Sequence, residues 1–284
     1  MTVRCPAKIN LYLRIVGQRP DGFHNLETLM CPVAVYDEMT LAPAADGEVS
    51  LRLTGGDISA GEDNLVMRAA RLVQRLGGTR RGVSITLQKN IPVGGGLAGG
   101  SSNAAHTLMA LNEFWDCALT ARQLDEAAAT LGSDVNFFLC RKPAVCTGRG
   151  ELVRPVTLTG KWHGLLLNPG FGVPTPWAFK TYAAHPARGT EGALTLACRA
   201  ADGGVSEFKL RNDLEPAVFG KYLWIAAAKA WLLAQPGVLD SLMSGSGATV
   251  FALTATPAEA GRVARSAREY FGPEAWIKPV ELLV

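Results

Sequence analysis

The chain has 284 residues, of which 19% are charged and 48% hydrophobic, and carries a formal net charge of +3. That length supports one large or two moderate domains with real cores, and the ordinary composition fits a compact protein rather than a disordered one. No Lys/Arg run exceeds two residues and no apolar run is long enough to span a bilayer, so neither nucleic acid nor membrane is an expected partner.

Six cysteines (Cys5, Cys31, Cys117, Cys140, Cys146 and Cys198) are dispersed without a C-x-x-C pair, which favours reduced thiols. None of the four histidines, His24, His106, His163 and His185, stands at i,i+4 from another, so a structural zinc site is not expected. With no basic-then-apolar leader after Met1, the expected location is the cytoplasm. Subunit number leaves no mark in the sequence.

From Val3 to Val16 the chain alternates: Ala7, Ile9, Leu11, Leu13 and Ile15 share one face of a strand, and Lys8, Asn10, Tyr12 and Arg14 the other. Periodicity alone makes the second face a solvated one. The Pro, Asp and Gly of Gly17–Leu29 then form a turn that delivers Phe23 and His24 to the start of another strand. The pair is either a packed turn or a stacking surface with ring nitrogens for a base.

Val35 to Leu53 supplies short strands around the turn Ala44-Ala45-Asp46-Gly47. Asn64–Leu76 is a predicted helix, apolar at Leu65, Ala69, Leu72, Val73 and Leu76 and ended by Gly77-Gly78. After a strand at Val83–Gln88 comes QKNIPVGGGLAGGSSNAAH, with five glycines between Gly94 and Gly100. Such a loop lets backbone N–H groups approach a ligand, and the following helix adds the positive end of its dipole. Ser101, Ser102 and Asn103 are candidate N-caps, with Ala104, Leu108, Leu111 and Trp115 along one face. Together these features suit a nucleotide phosphate.

Three familiar phosphate loops do not fit. Gly94-x-Gly96-x-x-Gly99 spells the dinucleotide fingerprint, but Lys89–Val93 separates it from its strand. A Walker A reading of Gly95–Ser102 puts Ser101 where that motif needs lysine. The V-A-I-K and H-R-D-L strings of protein kinases are missing.

Thr120–Leu131 reads as a helix capped by Thr120 and stopped by Gly132, after which Asp134 precedes a short apolar run, where an N-cap role suffices for it. Ala144–Pro155 reads as a hairpin turning at Gly148-Arg149-Gly150, and Trp162–Asn168 as a strand. Thr175 is the expected N-cap of a helix with Pro176 at its first position, and Phe179 on that helix could be plain core. His185–Gly204 has the composition of a surface excursion. Asn212–Glu215 starts a helix, Lys221–Ala234 continues helically, and Leu239–Leu253 reads as strand, Ser244-Gly-Ser-Gly247, strand. A helix at Pro257–Phe271 and a strand at Ala275–Val280 close an α+β pattern.

The string Pro92–Ala105 (PVGGGLAGGSSNAA) resembles the small-molecule kinases named for galactokinase, homoserine kinase, mevalonate kinase and phosphomevalonate kinase, the GHMP kinases. Pro6–Leu13 and Gly17–Leu29 are similar to one family among them, the 4-diphosphocytidyl-2-C-methyl-D-erythritol kinases. Gly132–Phe138, Pro174–Lys180, Asn212–Glu215 and Ser244–Phe251 follow in that family's order.

The resemblance implies a two-domain α+β GHMP-kinase fold with the active site in the cleft between domains. Residues 1–155 would carry the ATP loop and catalytic residues, and 156–284 would complete the substrate pocket. It implies an ATP-dependent kinase for the 2-hydroxyl of 4-diphosphocytidyl-2-C-methyl-D-erythritol, in non-mevalonate isoprenoid biosynthesis, with Mg²⁺ accompanying ATP.

By the same resemblance Lys8 and Asp134 are the catalytic pair, Asp134 taking the hydroxyl proton. The ATP phosphates fall to Pro92, Val93, Gly94, Gly95, Gly96, Leu97, Ala98, Gly99, Gly100, Ser101 and Ser102. His24 would hydrogen-bond cytosine, Phe23 and Phe179 would stack on its two faces, and Thr175 would complete the pocket. Asn10 and Asn136 join the substrate set.

The family often has Tyr at the place of Phe23, so stacking is kept and a phenol hydrogen bond lost; Asn136 stands where proline is common. Protein ligands for the metal are not indicated beyond Ser102 as a contact. A homoserine or mevalonate kinase is the competing reading, and Phe23-His24 with Thr175 and Phe179 argues against it. A catalytically silent nucleotide-binding regulator on the same fold is disfavoured by retention of both Lys8 and Asp134.

Overall fold

In the computed structural model, which describes residues 1–56 and 58–284, the alternating first segment is a strand, β1 (Thr2–Gln18). It is followed by β2 (His24–Ala44), β3 (Val49–Thr54), α1 (Leu65–Leu76), β4 (Gly82–Gln88), α2 (Gly99–Phe114), α3 (Ala121–Leu131) and α4 (Val135–Cys140). Then come β5 (Ala144–Gly148), β6 (Leu152–Leu158), β7 (His163–Asn168), α5 (Thr175–Ala184), β8 (Thr195–Ala200), β9 (Val205–Lys209) and β10 (Arg211–Asn212). The chain ends with α6 (Glu215–Phe219), α7 (Leu223–Leu233), β11 (Val238–Met243), β12 (Val250–Thr254), α8 (Pro257–Phe271) and β13 (Trp276–Glu281).

A nine-stranded mixed sheet runs β10-β1-β2-β5-β6-β8-β9, with β4 also paired to β2 and β3 to β4. A separate antiparallel sheet of four strands has the order β11-β12-β7-β13. The architecture is α+β, as expected. No described helix is long and apolar enough to cross a membrane.

The chain divides into two compact units whose segments interleave. One comprises Met1–Ala7, Val35–Val93 and Ala98–Arg141, the other Lys8–Ala34, Gly94–Leu97 and Lys142–Val284. The sequence boundary expected at 155/156 falls inside β6. In the first unit α2 packs on α1, α3 and α4. In the second, α7 and α8 pack on the four-stranded sheet over a core that includes Leu165, Leu167, Val250, Ile225 and Val263.

Local chemistry explains several helix limits. Asn64 caps α1 by accepting from Val66 N–H, and Thr120 caps α3 through a reciprocal box with Gln123. α8 starts with the same device, Thr256 with Glu259, and has Pro257 as its first residue.

Four expectations are corrected. Of the region Val35–Leu53 read as short strands, the part up to Ala44 is the second half of one continuous strand, β2, along which the polar Asp37 is buried with partners of its own, and β3 follows the turn. Part of the expected excursion at His185–Gly204 is β8, paired with β9; Leu196, Cys198 and Phe208 give that hairpin an apolar side. The helix after the glycine loop begins at Gly99 with Ala98 as N-cap, φ 53°, not at the serines. The N-cap of α5 is Pro174, which leaves Thr175 inside the first turn with its hydroxyl on Ser246 Oγ at 2.8 Å.

Candidate active site

Lys8 and Asn10 lie on the face of β1 that periodicity assigned to solvent, yet each is only 3% exposed. A buried ammonium needs hydrogen-bonding partners. Lys8 Nζ donates to Asn10 Oδ1 at 2.7 Å and to the Gly96 carbonyl at 3.0 Å. Asn10 Nδ2 in turn donates to Thr28 Oγ1 at 2.8 Å, and Thr28 Oγ1 to the Tyr12 carbonyl at 2.6 Å. The ammonium is thereby held at the tip of the glycine loop by a chain of oriented groups.

The Ser244–Gly247 segment between β11 and β12 closes on the same spot. Ser244 Oγ donates to the Gly96 carbonyl at 3.0 Å, and Thr249 N–H donates to the Gly95 carbonyl at 3.1 Å. Gly96 has φ 77°, and a Cβ there would lie 2.1 Å from the Ser244 carbonyl oxygen, so only glycine fits. Asn212 braces the segment from behind, its Nδ2 donating to the Met243 carbonyl at 2.8 Å and to that of Gly245 at 2.7 Å. Sequence reasoning placed Ser244 and Asn212 in motifs but gave neither a site role; their glycine-rich and Asn-Asp settings were the available signal.

After the loop in the chain, the first helical bond of α2 runs from Ser102 N–H to the Ala98 carbonyl at 2.9 Å, and no side chain caps the helix. The N–H groups of Gly99, Gly100 and Ser101 therefore have no carbonyl of their own helix to reach, an arrangement that can accept an anion. Ser102 is fully buried; its carbonyl accepts from His106 Nδ1 at 2.8 Å, which fixes the proton on that nitrogen. Burial pushes the His106 imidazole below its ordinary 6.5, so the ring stays neutral.

Asp134 occupies the N-cap position of α4, but its side chain makes no cap hydrogen bond, so capping its own helix does not account for the carboxylate. Asn136 fastens α4 to α3: its Nδ2 donates to the Asp125 carbonyl at 2.8 Å and to Asp125 Oδ1 at 2.7 Å, and its Oδ1 is buried without a partner. Its amide hydrogens are thus committed within the protein, and only the oxygen could face a ligand.

His24 stacks on Phe179 with ring centroids 5.4 Å apart and meets Tyr182 edge-on at 6.3 Å. Phe23 is 52% exposed, with the Arg149 guanidinium 5.0 Å from its ring centroid. The face of Phe179 expected to meet a pyrimidine is thus against His24 itself. Desolvation lowers the His24 pKa from the ordinary 6.5, which leaves a neutral ring able to donate and accept.

Comparison with known proteins places the chain in a class. Residues 64–142 match the GHMP kinases N terminal domain and residues 200–272 the GHMP kinases C terminal domain, which sets the class as a GHMP-type ATP-dependent small-molecule kinase. The 4-diphosphocytidyl-2-C-methyl-D-erythritol kinase of Methylacidiphilum infernorum is 43% identical over 98% of this chain and 95% of its own. A crystal structure of 4-(cytidine 5'-diphospho)-2C-methyl-D-erythritol kinase superposes with a TM-score of 0.78 at 32% identity, covering 99% of both chains. The homoserine kinase from Cytophaga hutchinsonii shares the fold, with a TM-score of 0.68 at 17% identity over 99% of this chain and 95% of its own. The chain belongs to the 4-diphosphocytidyl-2-C-methyl-D-erythritol kinase family.

Proposed function

We propose that this chain transfers the γ-phosphoryl group of ATP to the 2-hydroxyl of 4-diphosphocytidyl-2-C-methyl-D-erythritol, giving the 2-phosphate and ADP, in the cytoplasmic non-mevalonate route to isoprenoids. The observation that carries the reading is the buried Lys8 ammonium on the Gly96 carbonyl, which sets a cation at the loop that holds the triphosphate. Asp134 accepts the hydroxyl proton as the oxygen attacks the γ-phosphorus. The bond from that phosphorus to the β,γ-bridging oxygen breaks, and ADP leaves. Lys8 steadies charge on the incoming oxygen, Asn10 orients Lys8, and the N–H groups at the start of α2 take the phosphates.

Phe23, His24, Thr175 and Phe179 hold the cytosine, with the His24 ring swinging from Phe179 to admit the base. Mg²⁺ travels with the nucleotide as a hard counter-ion to its phosphates. That cation is held mainly by phosphate and water, with Ser102 as the proposed protein contact.

Positioning contributes up to about 7–11 kcal/mol and general-base help about two to four orders of magnitude in rate. Asp134→Asn should therefore lower kcat by about two to four orders of magnitude while ADP affinity, read by calorimetry, changes little. A kcat near that of the unmodified enzyme would remove Asp134 as the base.

A further inference from the structure

The residues that flank the glycine loop in the chain share a buried charged cluster that the reaction chemistry above does not use. Asp37 on β2 is fully buried, the Lys89 side chain is 4% exposed, and Asn103 on α2 is 1% exposed. Lys89 Nζ forms an ion pair with Asp37 Oδ2 and donates to Asn103 Oδ1 at 3.0 Å. Asn103 Nδ2 donates to Asp37 Oδ2 at 3.0 Å, and the other carboxylate oxygen accepts from Asn90 N–H at 2.7 Å and Ile91 N–H at 2.9 Å.

The partners' places along the chain give the cluster its meaning. Lys89, Asn90 and Ile91 are the residues by which the chain enters the glycine loop; Asn103 lies in the helix by which it leaves. A Cβ on Gly99, the first residue of that helix, would sit 3.2 Å from Lys89 Nζ and 3.0 Å from Ile91 Cγ2, so entrance and exit are in direct contact. One carboxylate gathers both ends of the glycine loop.

A buried ion pair is a poor source of net stability, since desolvating the charges offsets most of their attraction, but it does fix geometry. Free glycines have little preferred conformation. Donors aimed at a polyphosphate must be held in place before it arrives, or the ordering cost falls on binding.

We propose that Asp37, Lys89 and Asn103 form a clasp across the two ends of the phosphate loop, and that these positioning residues set the aim of the Gly99, Gly100 and Ser101 N–H groups at the nucleotide's phosphates. The proposal rests on the reading of this loop as the ATP-phosphate site. It separates phosphate affinity from nucleoside affinity, because the clasp acts on the loop alone.

The test is calorimetric titration of the full chain with ADP and with adenosine, for the unmodified protein and for Lys89→Met, which keeps the stem and removes the ammonium. The clasp requires ADP binding to weaken about tenfold, as expected for loss of a supporting shell, with adenosine binding and KM for the cytidyl substrate within about twofold. Parallel loss of ADP and adenosine affinity, or no loss of either, overturns it.

If Lys89→Met fails to fold because the Asp37 charge is left unpaired, the isoelectric Asp37→Asn/Lys89→Met variant keeps an oxygen for the Asn90 and Ile91 N–H groups, and the same two outcomes apply. Unmodified protein that binds ADP no better than adenosine overturns the phosphate-loop reading itself; an ADP preference left intact by the substitutions overturns only the clasp.

Discussion

Lys8 and Asn10 show how a side chain's role depends on partners far away in sequence. Alternation in Val3–Val16 reports which residues share a face, and the buried set Ala7, Ile9, Leu11 and Leu13 follows it. Alternation does not report whether the opposite face meets water. Here Lys8 on that face meets the Gly96 carbonyl, 88 residues along the chain, and the Asn10 backbone N–H meets Ser244 Oγ, 234 residues along, and no local pattern could reveal them.

His24 is a second case: its sequence setting offers a packed turn or a base-binding ring, and in the fold the ring is packed on Phe179 and Tyr182, partly desolvated. Burial holds its pKa below 6.5, so the neutral ring is present at pH 7.5 and is lost as pH falls through that lowered value. If the neutral ring holds the cytosine, KM for the cytidyl substrate should rise on that acid limb while KM for ATP does not. His24→Ala should raise the first KM by about tenfold at pH 7.5, the scale of one hydrogen bond, and abolish the limb. Equal changes in both KM values across pH would discredit the cytosine role.

At the scale of elements, α3 is the most legible, with Thr120 its cap in the sequence as in the fold; α1 and α8 are read within a residue of their observed limits, and their caps, Asn64 and Thr256, are seen in the structure. The start of α2 was misplaced for an instructive reason. Capping rules assume that the chain satisfies its own first N–H groups. In α2 those groups follow a left-handed Ala98 with no side-chain cap.

The β8–β9 hairpin was missed because its polar setting outweighed the apolar alternation of Leu196 and Cys198. The loop itself gives a sharp expectation: Gly96→Ala brings a Cβ within 2.1 Å of the Ser244 carbonyl oxygen at a φ of 77°. The backbone must move, carrying the oxygen that holds Lys8, and a displacement of that size lowers kcat/KM by about a hundredfold. Gly17→Ala, whose Cβ meets nothing within 4 Å, should leave kcat/KM unchanged. Steady-state kinetics of the two variants checks both, and a near-normal Gly96→Ala enzyme would contradict the loop's role.

For the whole molecule, the α+β class was readable from the order of strands and helices, whereas the interleaving of the two units was not. β1 and β2 each contribute residues to both, so no stretch of unusual composition marks a boundary. What sequence and structure share is an ordered set of motifs, among them the Lys8–Asn10 pair, the glycine loop, Asp134 and the Ser244 segment.

The central claim is that this set acts on one cytidyl alcohol. The direct measurement is ATP-dependent ADP release with 4-diphosphocytidyl-2-C-methyl-D-erythritol, homoserine and mevalonate offered separately at equal concentration. The account expects release with the first alone, in amounts equal to the 2-phosphate formed; release with homoserine or mevalonate instead, or with none of the three, would contradict it.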